Sequence, residues 1–170
     1  MSILIWNVGL NKKERRQDLK EHLAKYTPSI LVLVETKVKP NKEHIILRCI
    51  PPYWFFTNNY EYSFLGRVWV CWNPKVWTGQ VQSKGLQQIT ITFSNNGGFT
   101  MLLTAVYGSN WQSRRMELWK ELINVHQQHG SIPWAVAGDF NIVRFSDEKV
   151  GERALSYRNL QDFNECLDTC

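Results

Sequence analysis

Long apolar runs are missing from this sequence: none reaches the roughly 20 residues that a membrane-spanning helix needs. The opening stretch, Met1 to Trp6, is too short for a secretory leader and lacks its basic start. Cysteine is sparse, and Cys49, Cys71, Cys166 and Cys170 fit neither zinc-ligand spacing nor a secreted disulfide framework. Internal repeats and low-complexity tracts are absent as well. These absences argue against a membrane protein, a disulfide scaffold and a zinc module. They lead us to expect a reducing, intracellular setting, nuclear or cytoplasmic and not secreted.

What is present is globular. With 44% hydrophobic and 21% charged residues the chain is not a disordered tail. Its 170 residues suit a single domain, which at that size buries about 70% of its unfolded surface and needs no covalent staple. A formal charge of +5 favours a polyanionic partner only weakly. The excess is uneven: residues 1–50 hold ten Lys and Arg against five Asp and Glu. Lys12, Lys13, Arg15, Arg16 and Lys20 cluster there, either as a nucleic-acid contact or as a solvated helix face.

Hydrophobic periodicity gives an alternating order of elements. Ser2 to Asn7 reads as a strand, Lys12 to Tyr26 as a helix with Leu19, Leu23 and Tyr26 on one stripe, and Ile30 to Val34 as a buried strand ending in Glu35-Thr36. That β-α-β order predicts parallel first strands, with Asn7 and Glu35 leaving at one edge. A weaker helix spans Pro40 to Ile50. Strands follow at Tyr53–Thr57, Arg67–Trp72, Val76–Val81, Gln87–Phe93 and Thr100–Val106, separated by Asn- and Gly-rich turns that predict an antiparallel meander. Ser113 to His129 is a helix with Met116, Trp119, Leu122, Ile123 and His126 aligned. Trp134 to Ala137 reads as a buried strand, Arg144 to Arg153 as a charged loop, and Ser156 to Cys170 as a helix through Leu160, Phe163 and Leu167.

Polar groups recur at the carboxyl ends of these strands, where α/β sheets place their ligands. They are Asn7, Glu35, Tyr107 with Asn110, and Asp139 with Asn141. If the chain stays extended through Phe140, Asp139 and Asn141 share one face. Each has an ordinary alternative: a turn for Asn7 and Asp139, a salt bridge for Glu35, an amphipathic core position for Tyr107. Taken together they suit metal-assisted phosphoryl chemistry. A carboxylate takes a proton from water, a carboxamide donates to a phosphate oxygen, and carboxylates are the hard ligands magnesium prefers.

The order of Trp6-Asn7, Glu35-Thr36, Val106-Tyr107-Gly108 and Gly138-Asp139-Phe140-Asn141 resembles the endonuclease/exonuclease/phosphatase superfamily. The flanks Gly66 to Pro74, Arg115 to Trp119 and Pro133-Trp134 resemble, more narrowly, the endonuclease domain of plant LINE-type, non-LTR retrotransposons. The resemblance runs from residue 2 to about 168, essentially the whole chain. It implies a four-layer α/β sandwich of two packed mixed sheets. It also implies that Glu35, assisted by Asn7, holds Mg²⁺ or Mn²⁺, and that Asp139 orients or deprotonates the attacking water. Asn141 would then contact the scissile phosphate, with Tyr107 and Asn110 lining the same cleft. The implied partner is the DNA backbone, for a protein expected to be a monomer and free of membrane. A reverse transcriptase would lie further along a parent polyprotein.

The same resemblance implies a departure. Family members close with further strands and a Ser-Asp-His motif, whereas His22, His44, His126 and His129 here follow no aspartate. The expectation is therefore a single domain over residues 1–170, incomplete at its C-terminus and catalytically impaired as a DNA endonuclease. The competing expectations are a non-catalytic nucleic-acid-binding remnant and a phosphatase of the same superfamily.

Overall fold

The computed structural model describes residues 2–148 and 157–170. The second half of the expected charged loop and Ser156, the expected start of the last helix, lie outside the described residues. The described chain runs β1 (Ile3–Asn7), α1 (Lys13–Tyr26), β2 (Ile30–Val34), a 3-10 turn (Pro40–Lys42), α2 (His44–Leu47), β3 (Phe55–Asn58), β4 (Val68–Trp72), β5 (Thr78–Lys84), β6 (Gln88–Ser94), β7 (Thr100–Tyr107), α3 (Gln112–His129), β8 (Trp134–Asp139), a 3-10 turn (Ser146–Glu148) and α4 (Tyr157–Thr169). It divides into two compact units. The first comprises Met1–Tyr107 with Pro133–Asp139, and the second Gly108–Ile132 with Phe140–Cys170.

The first unit holds two mixed four-stranded sheets, ordered β1-β2-β4-β3 and β5-β6-β7-β8. β1 and β2 are parallel, as the β-α-β order predicts, with Asn7 opposite Val34. The expected single meander is split between the sheets. β3 and β4 pair antiparallel in the first, β5, β6 and β7 in the second, and β4 turns its other edge to β2. The Asn73-Pro74 turn is responsible. The Asn73 carbonyl accepts from Val76 and Trp77 and its Oδ1 from the Lys75 amide, so the chain passes to the other sheet instead of folding back on β4.

Burial explains why β2 and β4 read as unbroken apolar runs. Every residue of both strands is buried, because each packs on two faces. Val32, Val34, Val68 and Val70 meet Ile89, Ile91, Leu103 and Ala105 of the other sheet in one core. Leu31, Leu33, Trp69 and Cys71 face a second core with Leu10, Leu19 and Ile46 on the helical side. α1 contributes Leu19 fully and Leu23 partly, whereas Tyr26, expected on the same stripe, is exposed. The expected Pro40–Ile50 helix is reduced to the 3-10 turn and the four-residue α2.

β8 pairs in parallel with β7 and, among the described residues, has no other strand beside it, with Tyr107 opposite Asp139. The expected buried strand is therefore an edge strand, with Ala135 and Gly138 exposed. Inside this sheet runs a polar relay. The Trp134 indole donates to Thr104 Oγ1 (2.9 Å), Thr104 and Thr90 hydroxyls meet at 2.8 Å, and Thr90 Oγ1 donates to Gln88 Oε1 (2.9 Å).

In the second unit α3 buries Arg115, Leu118, Trp119, Leu122 and Val125. The stripe is displaced by one position from the expected one: Met116, Ile123 and His126 sit at its flank. Trp119, Phe140 and Phe163 form an aromatic cluster, with Trp119 and Phe163 ring centres 4.9 Å apart. α4 buries Phe163 and Cys166, while Leu167 of the expected stripe is exposed.

Candidate active site at the strand ends

Three strands of the first unit end on residues of one connected set, which Glu35, just after β2, and Arg67, just before β4, complete. Asn7 ends β1, and its Nδ2 donates to Asp139 Oδ2 at 2.6 Å, across 132 residues of chain. A carboxylate only accepts, so the nitrogen of the carboxamide must face it. Asp139 ends β8 opposite Tyr107, which ends β7. The Tyr107 hydroxyl accepts from Arg67 Nη1 at 3.1 Å, and the same guanidinium stands over the tyrosine ring, 5.1 Å from its centre. The Arg67 carbonyl accepts from the amide of Glu35 at 2.7 Å. Glu35 follows Val34, the register partner of Asn7. The circuit Asn7, Asp139, Tyr107, Arg67, Glu35 closes on itself and takes residues from both sheets.

The sequence pattern does not single out Arg67, which reads as the first residue of an apolar strand; the one available signal is a cation directly after Gly66 in a run otherwise without charge.

Backbone strain marks the same segments. Among the described non-glycine residues only Thr27, Glu35, Lys37 and Asn141 have φ in the left-handed region, at 40°, 57°, 56° and 51°. Such conformations are costly and concentrate at functional sites. Three of these four carry or adjoin a candidate role. Gly138, at φ 146°, precedes Asp139 where a Cβ would fall 2.0 Å from the Val106 carbonyl oxygen, so only glycine allows β8 to close on β7 there.

The half-buried Glu35 carboxylate is paired with Lys37, Oε1 to Nζ 3.0 Å. Among the described residues no three His, Cys, Asp or Glu side chains cluster. The donors present are of the hard-oxygen kind: the Glu35 carboxylate and the Asn7 Oδ1, which points away from Asp139 because Nδ2 is turned to it. That set fits magnesium, which typically takes one or two carboxylates and fills its shell with water and substrate phosphate.

Asn141 and Asn110 belong to the second unit. Asn141 Nδ2 donates to the Gly108 carbonyl at 2.6 Å, holding together the two segments that follow Tyr107 and Asp139 in sequence. The expected extended run from Asp139 to Asn141 does not occur, since β8 stops at Asp139 and Asn141 turns left-handed. Asn110 is exposed in the loop before α3, and the buried Arg115 steadies that loop by donating to the Ser109 carbonyl at 2.7 Å. The basic residues of α1 are partly committed: Arg16 donates to the Leu10 carbonyl and Arg15 pairs with Asp18, both at the surface end of the helix. No helix among the described residues is long and apolar enough to cross a membrane.

Two packed mixed sheets with helices, and a carboxylate–carboxamide set at their strand ends, define an α/β fold of the phosphoesterase type. The chain belongs to the endonuclease/exonuclease/phosphatase family, whose model matches residues 4–168. Solved structures share the fold at low identity. The AP endonuclease LMAP from Leishmania major superposes with a TM-score of 0.73 at 15% identity, over 99% of this chain and 66% of that one. The 3'-5' exonuclease NExo from Neisseria meningitidis gives 0.67 at 22%, over 99% and 71%. The 3' phosphatase NExo from Neisseria, bound to product DNA hairpin, gives 0.66 at 18%, over 99% and 71%. The chain thus spans just under two thirds of the Leishmania enzyme. No curated protein matches it.

Proposed function

We propose that this chain is a divalent-metal-dependent phosphodiester hydrolase acting on DNA, of the endonuclease kind found in LINE-type retroelements. The observation that carries this reading is the 2.6 Å bond from Asn7 to Asp139, which brings a carboxylate of one sheet to a carboxamide of the other. Asp139, aligned by that bond, takes a proton from the attacking water. Glu35 and Asn7 would hold Mg²⁺ or Mn²⁺, which when bound would supply Lewis-acid neutralisation of the phosphoryl charge. Arg67 keeps the Tyr107 hydroxyl oriented and adds positive potential beside the phosphate. Asn141 and Asn110 are assigned phosphate contacts on the family resemblance alone. DNA as the substrate is supported by the relatives, whose names record AP endonuclease, 3'-5' exonuclease and a DNA hairpin product.

Turnover by the 170-residue chain should be slow. Its sequence contains no Asp-His pair, and losing one preorganised stabilising donor costs about 10²- to 10³-fold in rate. The test is nicking of supercoiled plasmid with Mg²⁺ by the purified chain, alone and with a peptide bearing Ser-Asp-His and its strands. Slow nicking, accelerated by the peptide and lost in Asp139→Ala and Glu35→Ala, is the expected result. Nicking unaffected by Asp139→Ala would overturn the assignment. Unaided nicking as fast as a complete family enzyme would overturn the claim of impairment.

A further inference from the structure

Beside Glu35 the chain alternates in and out. Thr36 and Val38 are buried, whereas Lys37 and Lys39 are exposed. The loop joining β3 to β4 lies against this segment. Thr36 Oγ1 donates to the Gly66 carbonyl at 2.8 Å, and the Tyr60 hydroxyl donates to the Val38 carbonyl at 2.9 Å. The loop is also fixed from within. Buried Asn59 donates to the carbonyls of Gly85 and Leu86 and accepts from the Val68 amide, so both its nitrogen hydrogens and its oxygen are engaged. Gly66 packs so closely that a Cβ would fall 2.2 Å from the Tyr60 ring.

At the tip of this anchored loop Phe64 is 68% exposed. Single exposed apolar residues are ordinary. This one sits on a loop held by buried hydrogen bonds, and the Lys39 ammonium stands over its ring, 5.8 Å from the centre. An exposed ring on an anchored loop, with a cation beside it, is the arrangement that takes a base by stacking and its backbone by charge. Bases in an intact duplex are stacked on one another and closed to such a ring.

We propose that Phe64 and Lys39 form a platform for an unpaired nucleotide, on the loop packed against the segment that follows Glu35, with the ring stacking the base and the ammonium group holding a phosphate. The platform rests on the reading that the strand ends accept a DNA backbone, and it adds a substrate preference: single-stranded or frayed DNA over intact duplex.

The experiment is fluorescence anisotropy with labelled single-stranded and duplex oligonucleotides of equal length, in EDTA so that nothing is cleaved. Phe64→Ala should weaken single-strand binding about 5- to 100-fold and leave duplex binding within about twofold. Phe64→Trp should retain wild-type affinity, and thermal melts of both variants should match the parent because the ring is exposed. Lys39→Gln should reduce the salt slope for single strands by about 0.7. Unchanged single-strand affinity in Phe64→Ala, equal losses on both DNAs, or no binding by the parent would each overturn the proposal. A parent that binds as described yet does not nick plasmid even with the Ser-Asp-His peptide would retain the platform and remove the nuclease reading, so the two failures are distinguishable.

Discussion

The carboxamide of Asn7 and the carboxylate of Asp139 meet at 2.6 Å although β1 and β8 are the outer strands of two different sheets. This contact is at once a clasp between sheets and, in the proposed reaction, the alignment of the base. Asn7→Ala should separate those roles. A hydrogen bond to a charged group at an exposed position contributes about 1–2 kcal/mol, so Tm should fall by only a few degrees. Nicking should fall by about 10- to 100-fold, read as kcat with KM little changed. Equal small losses in both would reduce Asn7 to a structural clasp.

Gly138→Ala tests whether backbone shape delivers Asp139. The new Cβ would meet the Val106 carbonyl, and φ 146° is itself unfavourable for a side chain. A loss of about 2–4 kcal/mol is expected in urea denaturation. Wild-type stability would show that β8 can part from β7 without cost.

Tyr60 offers a signature at alkaline pH. Burial, reinforced by the charge of Glu43, raises its hydroxyl from the usual value near 10 to about 12. The folded state therefore holds the proton more tightly than the unfolded chain does. The resulting stability is fully present below about pH 10 and is lost as pH rises towards 12. Tyr60→Phe should flatten the slope of Tm against pH over that interval. A slope identical to the parent's would assign it to other groups.

The four thiols should separate by reactivity. Burial raises all of them, Cys166 to about 12 and Cys71 further still, and only Cys170 is exposed. With iodoacetamide at about pH 8, mass spectrometry should find Cys170 alkylated first and Cys71 only after unfolding. Early labelling of Cys71 would mean that β4 opens readily.

Lys12, Lys13 and Arg15 are exposed on α1 and the turn before it, and replacing all three with Ala checks whether that face touches DNA. If it does, the slope of log Kd against log salt becomes shallower by about 0.9 for every duplex phosphate these cations neutralise in the parent. An unchanged slope makes the cluster a solvated face. Arg16 is left intact because its bond to the Leu10 carbonyl at 2.8 Å supports the turn after Asn7.

Much of the architecture is written in local pattern. Ile30 to Val34 and Val68 to Trp72 are continuous apolar runs because both faces of those strands are covered, and the β-α-β order around α1 fixes the parallel pairing that brings Asn7 beside Val34. The division into two sheets is not legible. Asn73-Pro74 has the composition of a hairpin turn, yet it carries the chain across to the other sheet, where Trp77 packs against Phe93, a contact that sequence spacing does not announce. At the site, Asn7, Glu35, Tyr107 and Asp139 stand out because each is polar at the end of an apolar run. Arg67 does not, because its part depends on a tyrosine 40 residues away. Asn141 escapes the period-of-two argument because that argument assumes extended backbone, and its φ of 51° ends the extension.

The relay beneath β8 has a direction. An indole N–H can only donate, so Thr104 receives from Trp134. Thr90 gives its one hydrogen to Gln88, which leaves Thr104 to donate to Thr90. Every hydroxyl hydrogen is thereby assigned, in one sense only, from the edge strand inward across β7 to β6. Such an arrangement works as a key for strand register. Sliding β7 by a single residue against β6 would bring Leu103 or Ala105 opposite Thr90 and leave Thr90 and Thr104 without each other. The two hydroxyls key β6 to β7, and the Trp134–Thr104 bond crosses the β7–β8 register that sets Tyr107 level with Asp139.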